Sequence, residues 1–313
     1  MSWNEQDVPD QRGRTVVVTG ASAGLGLENT RALARAGATV VLATRDARKT
    51  AAAVERVRRV VPDAHLDEVS LDLADLASVR VAAARLRERY DAIEAVICNA
   101  GLMATPLRRT ADGFELQLGV NHLGHAALVA DLLPTIRRAA DPRIVVVSSE
   151  AHRMGSIDLD DLNYERRRYQ RWLAYGQSKL ANLLYARELQ RRLDAVGARV
   201  TVANAHPGYA RTELQTKGPA LQGGLSGLVN RGASSVLNTV LGQSAADGAL
   251  PQLYAATAPN VPPGSYWGPS GLLGMRGAPT LVPASDAASD RELAAELFAR
   301  TEALTGVPHR LEG

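Results

Sequence analysis

A chain of 313 residues, 46% of them hydrophobic, is long enough for one large domain or two small ones. Its formal charge of +3 is scattered, with no basic stripe interleaved with aromatics, which argues against a nucleic-acid partner. No apolar run approaches the ~20 residues of a membrane span, and the polar stretch Met1 to Arg14 reads as neither a signal peptide nor an anchor. Cys98 is the only cysteine, which excludes an intrachain disulfide and suits a reducing, cytoplasmic setting.

Taken in chain order, short apolar runs alternate with amphipathic stretches. Strands are expected at Thr15–Thr19, Thr39–Thr44, Asp67–Leu71, Ala95–Asn99, Arg143–Ser148 and Val200–Ala205. Helices are expected near 25–36, 46–60, 75–90, 112–139 and 173–196. Beyond them the chain reads as a Gly/Ser/Leu-rich loop at 213–232, helices at 232–242, 244–257 and 286–304, and a last strand around Gly264–Gly268. Such alternation predicts an α/β fold, a doubly wound parallel sheet of about seven strands with helices on both faces. It also places a ligand at the carboxyl ends of the strands. We expect one domain over 1–313, with a substrate-covering lid region at 213–260 and a C-terminal extension at 261–313.

The stretch Thr15 to Gly26 is a buried β-branched strand broken by Gly20, Gly24 and Gly26 and followed by a helix. Glycines there allow close backbone approach, and the helix N-terminus offers free N–H groups, so the stretch reads as a phosphate cradle. The second strand ends at Thr44-Arg45 with no acid to hold a ribose 2′-hydroxyl. That pair suits a 2′-phosphate, hence NADP(H) over NAD(H), while Asp46 reads as the N-cap of the next helix. Tyr175 and Lys179, four apart, share one helix face, and an ammonium beside a phenol favours the phenolate. His122 and His125 lack further ligands at metal spacing, so no metal is expected. Cys98 reads as an inert packing residue, and Arg166-Arg-Arg168 as a solvated loop face.

The ordered set Thr19-Gly-Ala-Ser-Ala-Gly-Leu-Gly26, Leu71-Asp-Leu73, Asn99-Ala-Gly101, Tyr175-Gly-Gln-Ser-Lys179 and Pro207-Gly208 with Thr212 resembles the short-chain dehydrogenase/reductase family over about residues 14–212. Val120-Asn-His-Leu-Gly-His125, Ser148-Ser-Glu-Ala-His152, Ser178-Lys-Leu-Ala-Asn182 and Tyr266 to Gly274 are most similar to its retinol-dehydrogenase-like and protochlorophyllide-reductase-like branch. The resemblance implies a Rossmann-type sheet. It also implies a cofactor set of Gly20, Ser22, Ala23, Gly24, Leu25, Gly26, Arg45, Asp72, Leu73, Asn99, Ala100, Gly101, Pro207, Gly208 and Thr212, completed by Tyr175 and Lys179. Asp72 is then the adenine-binding acid and Thr212 the contact to the nicotinamide amide. Tyr175 is implied as acid/base, with Lys179 lowering its pKa and binding the nicotinamide ribose. Asn121 is implied to hold a water beside the lysine; as a polar residue in a helix it can also kink that helix, and both roles can hold at once. Ser149 matches the serine that polarises the substrate carbonyl; its neighbour Ser148 stays open for that part. The 26 residues between Ser149 and Tyr175 are about twice the usual family gap.

The expected activity is hydride transfer between NADP(H) and a ketone, aldehyde or secondary alcohol. Reduction of a C=C bond on the same site, and an NADP-binding regulatory protein without catalysis, are the alternatives. The apolar, glycine-spaced run from Leu214 to Val229 reads as a lid and points to a bulky, mostly apolar small-molecule substrate. Family members often form homodimers through helices at 112–139 and 173–196, which the long tail here could block.

Overall fold

A computed structural model of the chain describes residues 2–208, 243–271 and 274–311. Among the described residues eight strands form one sheet: β1 (Thr15–Thr19), β2 (Thr39–Thr44), β3 (Leu66–Ser70), β4 (Ala95–Cys98), β5 (Arg143–Val147), β6 (Thr201–Ala205), β7 (Tyr266–Pro269) and β8 (Pro279–Leu281). Their spatial order is β3-β2-β1-β4-β5-β6-β7-β8. Every neighbouring pair is parallel except β7 and β8, an antiparallel pair in which Gly268 faces Thr280. The sheet thus has one strand more than the sequence announces. β8 has three residues and no apolar run to mark it.

Both faces are covered because the strand side chains alternate between two apolar layers. Val17, Val41, Val96 and Val146 face one, with α3 (Leu76–Arg89), α5 (Gly124–Ile136), α6 (Arg171–Ala195) and α8 (Arg291–Thr305). Val16, Val18, Val40, Leu42 and Ile97 face the other, with α1 (Gly24–Arg35), α2 (Ala47–Val60) and α7 (Ala245–Thr257). Short side chains start several of these helices: Asp46 caps α2, Asp75 caps α3, Ser244 caps α7 and Asp290 caps α8. Gly306, at φ +64°, ends α8.

The helix expected over 112–139 is not continuous. A single turn, α4 (Leu116–Leu118), runs into a π turn at Gly119–Leu123, and only then into α5. The expected loop at 213–232 and helix at 232–242 lie outside the described residues. The described part of the expected lid region is mainly α7, whose Ala249, Leu253 and Ala256 are buried, and whose Gln252 accepts a hydrogen bond from Asn29 of α1.

The sheet order reverses between β1 and β4: the chain winds outward to β3, then returns to the other side of β1. A crevice opens at such a switch point, at the carboxyl ends of the two strands. The end of the chain is built into the same core. Phe298 of α8 is buried, stacks on Tyr185 of α6 at 5.6 Å between ring centroids, and carries the Arg192 guanidinium 4.3 Å above its ring. Phe298→Ala is expected to lower unfolding free energy in urea by ~3–5 kcal/mol. A loss below ~1 kcal/mol would show that α8 only decorates the fold.

Candidate active site

Three strand ends meet at the crevice. β1 runs into Gly20, at φ +67°, and α1 begins at Gly24, at φ +55°. A Cβ on Gly26 would lie 2.4 Å from the Gly20 carbonyl oxygen and 2.7 Å from Asn99 Nδ2, so only glycine fits there. The residue before α1, Ala23, has no side chain to cap it, which leaves the first N–H groups of the helix for an anion. From the end of β4, Asn99 donates its amide N–H to the Thr19 carbonyl at 2.9 Å, while its amide oxygen is buried without a partner. An uncapped helix start, a cradle that a Cβ would fill and an orphaned acceptor fit a dinucleotide's pyrophosphate and ribose.

At the end of β2 the two expected specificity residues part. Thr44 turns inward, and its hydroxyl pairs with that of Thr50 on α2. Arg45 turns outward, its side chain 72% exposed, with Nη1 3.6 Å from Asp72 Oδ2. Asp72 is held by the Ala74 N–H and donates its own N–H to the Ser78 hydroxyl. Asp46 caps α2 through the N–H groups of Arg48 and Lys49, both at 3.1 Å. Ser22 is half-buried and Leu25 buried, and the buried Leu73 packs where α5 begins: a Cβ on Gly124 would lie 2.5 Å from its carbonyl oxygen. Ala100 lies against Gly20, and Gly101 against Asn121 and Lys179. Beyond β6, the Pro207 carbonyl accepts from Gln243, and Gly208, at φ +61°, lies against the backbone of Met275. Thr212 lies outside the described residues.

The two serines after β5 have separate environments. Ser148 is buried and donates its hydroxyl to the Lys179 carbonyl at 2.8 Å. Ser149 caps the following 3₁₀ helix (Glu150–Met154) by accepting the Ala151 N–H, and its hydroxyl is near enough to that of Tyr175 to pull the phenol's pKa down. A close approach of two glycines makes that meeting possible: a Cβ on Gly155 would lie 2.3 Å from the Gly176 carbonyl oxygen, and one on Gly176 would lie 2.8 Å from that of Ala151. The 3₁₀ helix therefore lies directly on the turn that carries Tyr175. His152, which has no assigned part in the sequence motifs, secures it from the far side. Its Nε2 accepts the Ser285 N–H at 3.1 Å, so its Nδ1–H donates to the Ser149 carbonyl at 2.7 Å.

Lys179, one turn beyond Tyr175, is buried and donates to the Val147 carbonyl at 3.0 Å. Its Nζ lies 5.8 Å from the centre of the Tyr175 ring. Asn121 sits in the π turn and holds Leu102 by both backbone groups, accepting its N–H at 2.7 Å and donating to its carbonyl at 2.9 Å. A second donor on the same amide goes to the Ser178 hydroxyl, which in turn donates to the Tyr175 carbonyl. The Asn121 side chain is thus committed to the backbone around the site.

The electrostatics differ from the expectation that lysine lowers the phenol's pKa. Burial pushes Tyr175 up to about 12, with the neighbouring Ser149 hydroxyl working the other way. Burial also pushes Lys179 down to about 8. Tyr175 therefore stays protonated at neutral pH. Burial pushes Cys98 up to about 12 as well, which leaves it an inert thiol.

The long stretch between Ser149 and Tyr175 is ordered around Asp161, which accepts the N–H groups of Glu165, Arg166 and Arg167. Arg166 and Arg168 face solvent, but Arg167 does not belong to a solvated face. Its guanidinium stacks 4.0 Å from the Tyr164 ring centre and hydrogen-bonds Gln177, two residues beyond Tyr175. A run of identical residues hides that difference in the sequence.

A lysine forced to titrate near 8 has its charged form disfavoured by folding. The cost is fully present below pH 8 and fades as pH rises toward the ordinary lysine value near 10.5. Lys179→Met removes it, and the Val147 carbonyl keeps its hydrogen bond from Asn182 at 3.0 Å. The variant is expected to gain on the order of 3 kcal/mol in urea unfolding at pH 7, a gain that shrinks toward pH 10. A variant less stable than wild type at pH 7 would contradict the assignment of a strained buried charge.

Among the described residues no helix is long and apolar enough to cross a membrane. Residues 14–221 match the short chain dehydrogenase family. The chain is 47% identical over 202 residues to retinol dehydrogenase 13 of Homo sapiens, a match covering 64% of this chain and 60% of that protein. It is 40% identical over 258 residues to polyprenol dehydrogenase of Mus musculus, covering 81% of this chain and 74% of the other. An uncharacterized protein from Mycobacterium paratuberculosis has a similar crystal structure, with a TM-score of 0.80, 42% identity and 99% of each chain covered. With fold, crevice and these relatives in agreement, the chain belongs to the short-chain dehydrogenase family of oxidoreductases, in its retinol-dehydrogenase-like branch.

Proposed function

We propose that the protein transfers hydride between NADP(H) and the carbonyl or secondary alcohol of a bulky, mostly apolar substrate. The observation that carries this reading is the placing of the Ser149 segment against the turn that bears Tyr175, through the Gly155–Gly176 contact, with the buried Lys179 one helical turn beyond. Bound nicotinamide would supply or accept the hydride. Ser149 hydrogen-bonds the substrate oxygen and places it beside the phenol. Tyr175, protonated at neutral pH, gives its proton to the oxygen as negative charge develops there, an alkoxide being a far stronger base than a phenolate. Lys179 lends positive charge to the phenolate left behind and reaches toward the nicotinamide ribose. In the oxidative direction the same groups act in reverse.

NADP(H) is supported by the exposed Arg45 and by the lack of an acid at the end of β2. Thr44, already engaged with Thr50, leaves Arg45 as the group to meet a 2′-phosphate. An apolar substrate is supported by Trp172, which packs edge-on against Tyr175 at 6.3 Å and is 45% exposed. The names of the two relatives, retinol and polyprenol dehydrogenase, both denote apolar isoprenoid alcohols.

The test is NADPH consumption across ketones, aldehydes and enones of graded size. Tyr175→Phe is expected to keep NADPH affinity and lose ~100-fold or more in turnover. Arg45→Ala is expected to weaken NADPH far more than NADH. Unchanged turnover in the first variant would remove Tyr175 from the mechanism, and an unchanged cofactor ratio in the second would remove Arg45. Turnover confined to enones would replace the carbonyl reading by C=C reduction, and NADPH binding without any turnover would replace it by a regulatory role.

A further inference from the structure

His122 and His125, three residues apart, are separated by the fold. His122 Nε2 faces the Thr301 hydroxyl at 2.9 Å, and its ring meets Tyr185 edge-on. His125 turns the other way, to the end of β1, where its Nε2 lies 2.9 Å from Thr19 Oγ1.

A count of lone pairs assigns the proton on this ring. Thr19 Oγ1 already accepts two N–H groups, from Asn99 and Ala100, both at 2.9 Å. With both lone pairs used, the hydroxyl can only donate. Its acceptor is His125 Nε2 at 2.9 Å, because the other candidate, the Ile97 carbonyl, lies at 3.3 Å. Nε2 is therefore bare, and the proton sits on Nδ1, 3.1 Å from the main-chain oxygen of Asn121. Burial, reinforced by the Lys179 charge, pushes the imidazole down to about 3, so the ring stays neutral with this orientation.

The carbonyl that His125 holds lies in the π turn, where the Gly124 N–H reaches back five residues to Gly119. The neighbouring side chain of Asn121 holds Leu102 and, through Ser178, the backbone of Tyr175. One hydrogen-bonded chain thus runs from the glycine turn of β1, through the imidazole and the π turn, to the helical turn that carries Tyr175.

We propose that His125 is a positioning residue for hydride transfer, using its Nδ1–H to orient Asn121 and hold the Tyr175 turn in register with the cofactor cradle. The inference rests on the oxidoreductase reading above. Its test compares kcat, NADPH affinity and melting temperature of three variants of the full chain. His125→Phe keeps the ring shape without either nitrogen. His125→Asn places an amide N–H where Nδ1 stood, and His125→Gln reaches only the Nε2 position. His125→Phe and His125→Gln are expected to lose ~10- to 100-fold in kcat on a ketone, with NADPH affinity largely kept, because a displacement near 1 Å carries a cost of that size. His125→Asn is expected to recover most of kcat even where its melting temperature is no higher than that of the Gln variant. A merely structural role predicts instead that kcat follows stability in all three, which would overturn the proposal, as would a His125→Phe enzyme within ~2-fold of wild type. Imidazole ¹⁵N shifts of the wild type give a readout free of turnover: an Nδ1–H ring that does not titrate from pH 5 to 9 supports the assignment, and an Nε2–H ring overturns it. A wild type that binds NADPH and reduces nothing would overturn the function reading, and the imidazole signal would still decide the geometry of His125.

Discussion

A buried ammonium needs a fixed acceptor, and the end of β5 supplies one for Lys179. The Val147 carbonyl receives both Lys179 Nζ and Asn182 Nδ2, so the strand end and the face of α6 are tied at two points. Ser148, the next residue, returns a hydrogen bond to the Lys179 carbonyl. With α6 seated in this way, the Tyr175 turn comes against the 3₁₀ helix that begins at Ser149, through the contact of Gly155 with Gly176. The position of the Ser149 and Tyr175 hydroxyls follows from how the Lys179 charge is accommodated in the core.

The rest of the fold brings the glycine turn and the neighbouring strand-end loops to the same edge. Parallel strands point their carboxyl ends one way, and the reversal of order at β1 and β4 opens a gap between neighbouring loops. Thr19 stands at that gap and bonds to backbone from β4 and to a side chain from α5. The C-terminal segments support the site from behind. Ser285 fixes the ring of His152 against the Ser149 carbonyl, while Phe298 and His309 close over Tyr185 on α6.

Local pattern made much of this legible. The buried runs at Val16–Val18 and Val40–Leu42 have no other common use than a two-sided parallel strand, and Gly20, Gly24 and Gly26 announce the turn between strand and helix. Asp46 as a cap and Tyr175 with Lys179 on one helix face follow from spacing alone. What remained hidden depends on long-range packing. Nothing near Thr44 shows that its hydroxyl is taken by Thr50, and nothing in Arg166-Arg-Arg168 shows that only the middle residue turns inward onto Tyr164 and Gln177. The π turn at Asn121 interrupts a segment whose apolar spacing is helical throughout. Spacing brings Lys179 close to the phenol but says nothing of burial, which pushes Tyr175 up and Lys179 down.

In the mechanism proposed, Tyr175 works as a protonated acid supported by a lysine that titrates unusually low. The direct measurement is kcat for reduction of one apolar ketone with saturating NADPH from pH 6 to 10. The expected profile is a level rate at low pH that falls as pH rises through about 8, when Lys179 loses its charge, while Tyr175 remains protonated. A reduction rate that climbs steadily through the same range would contradict it.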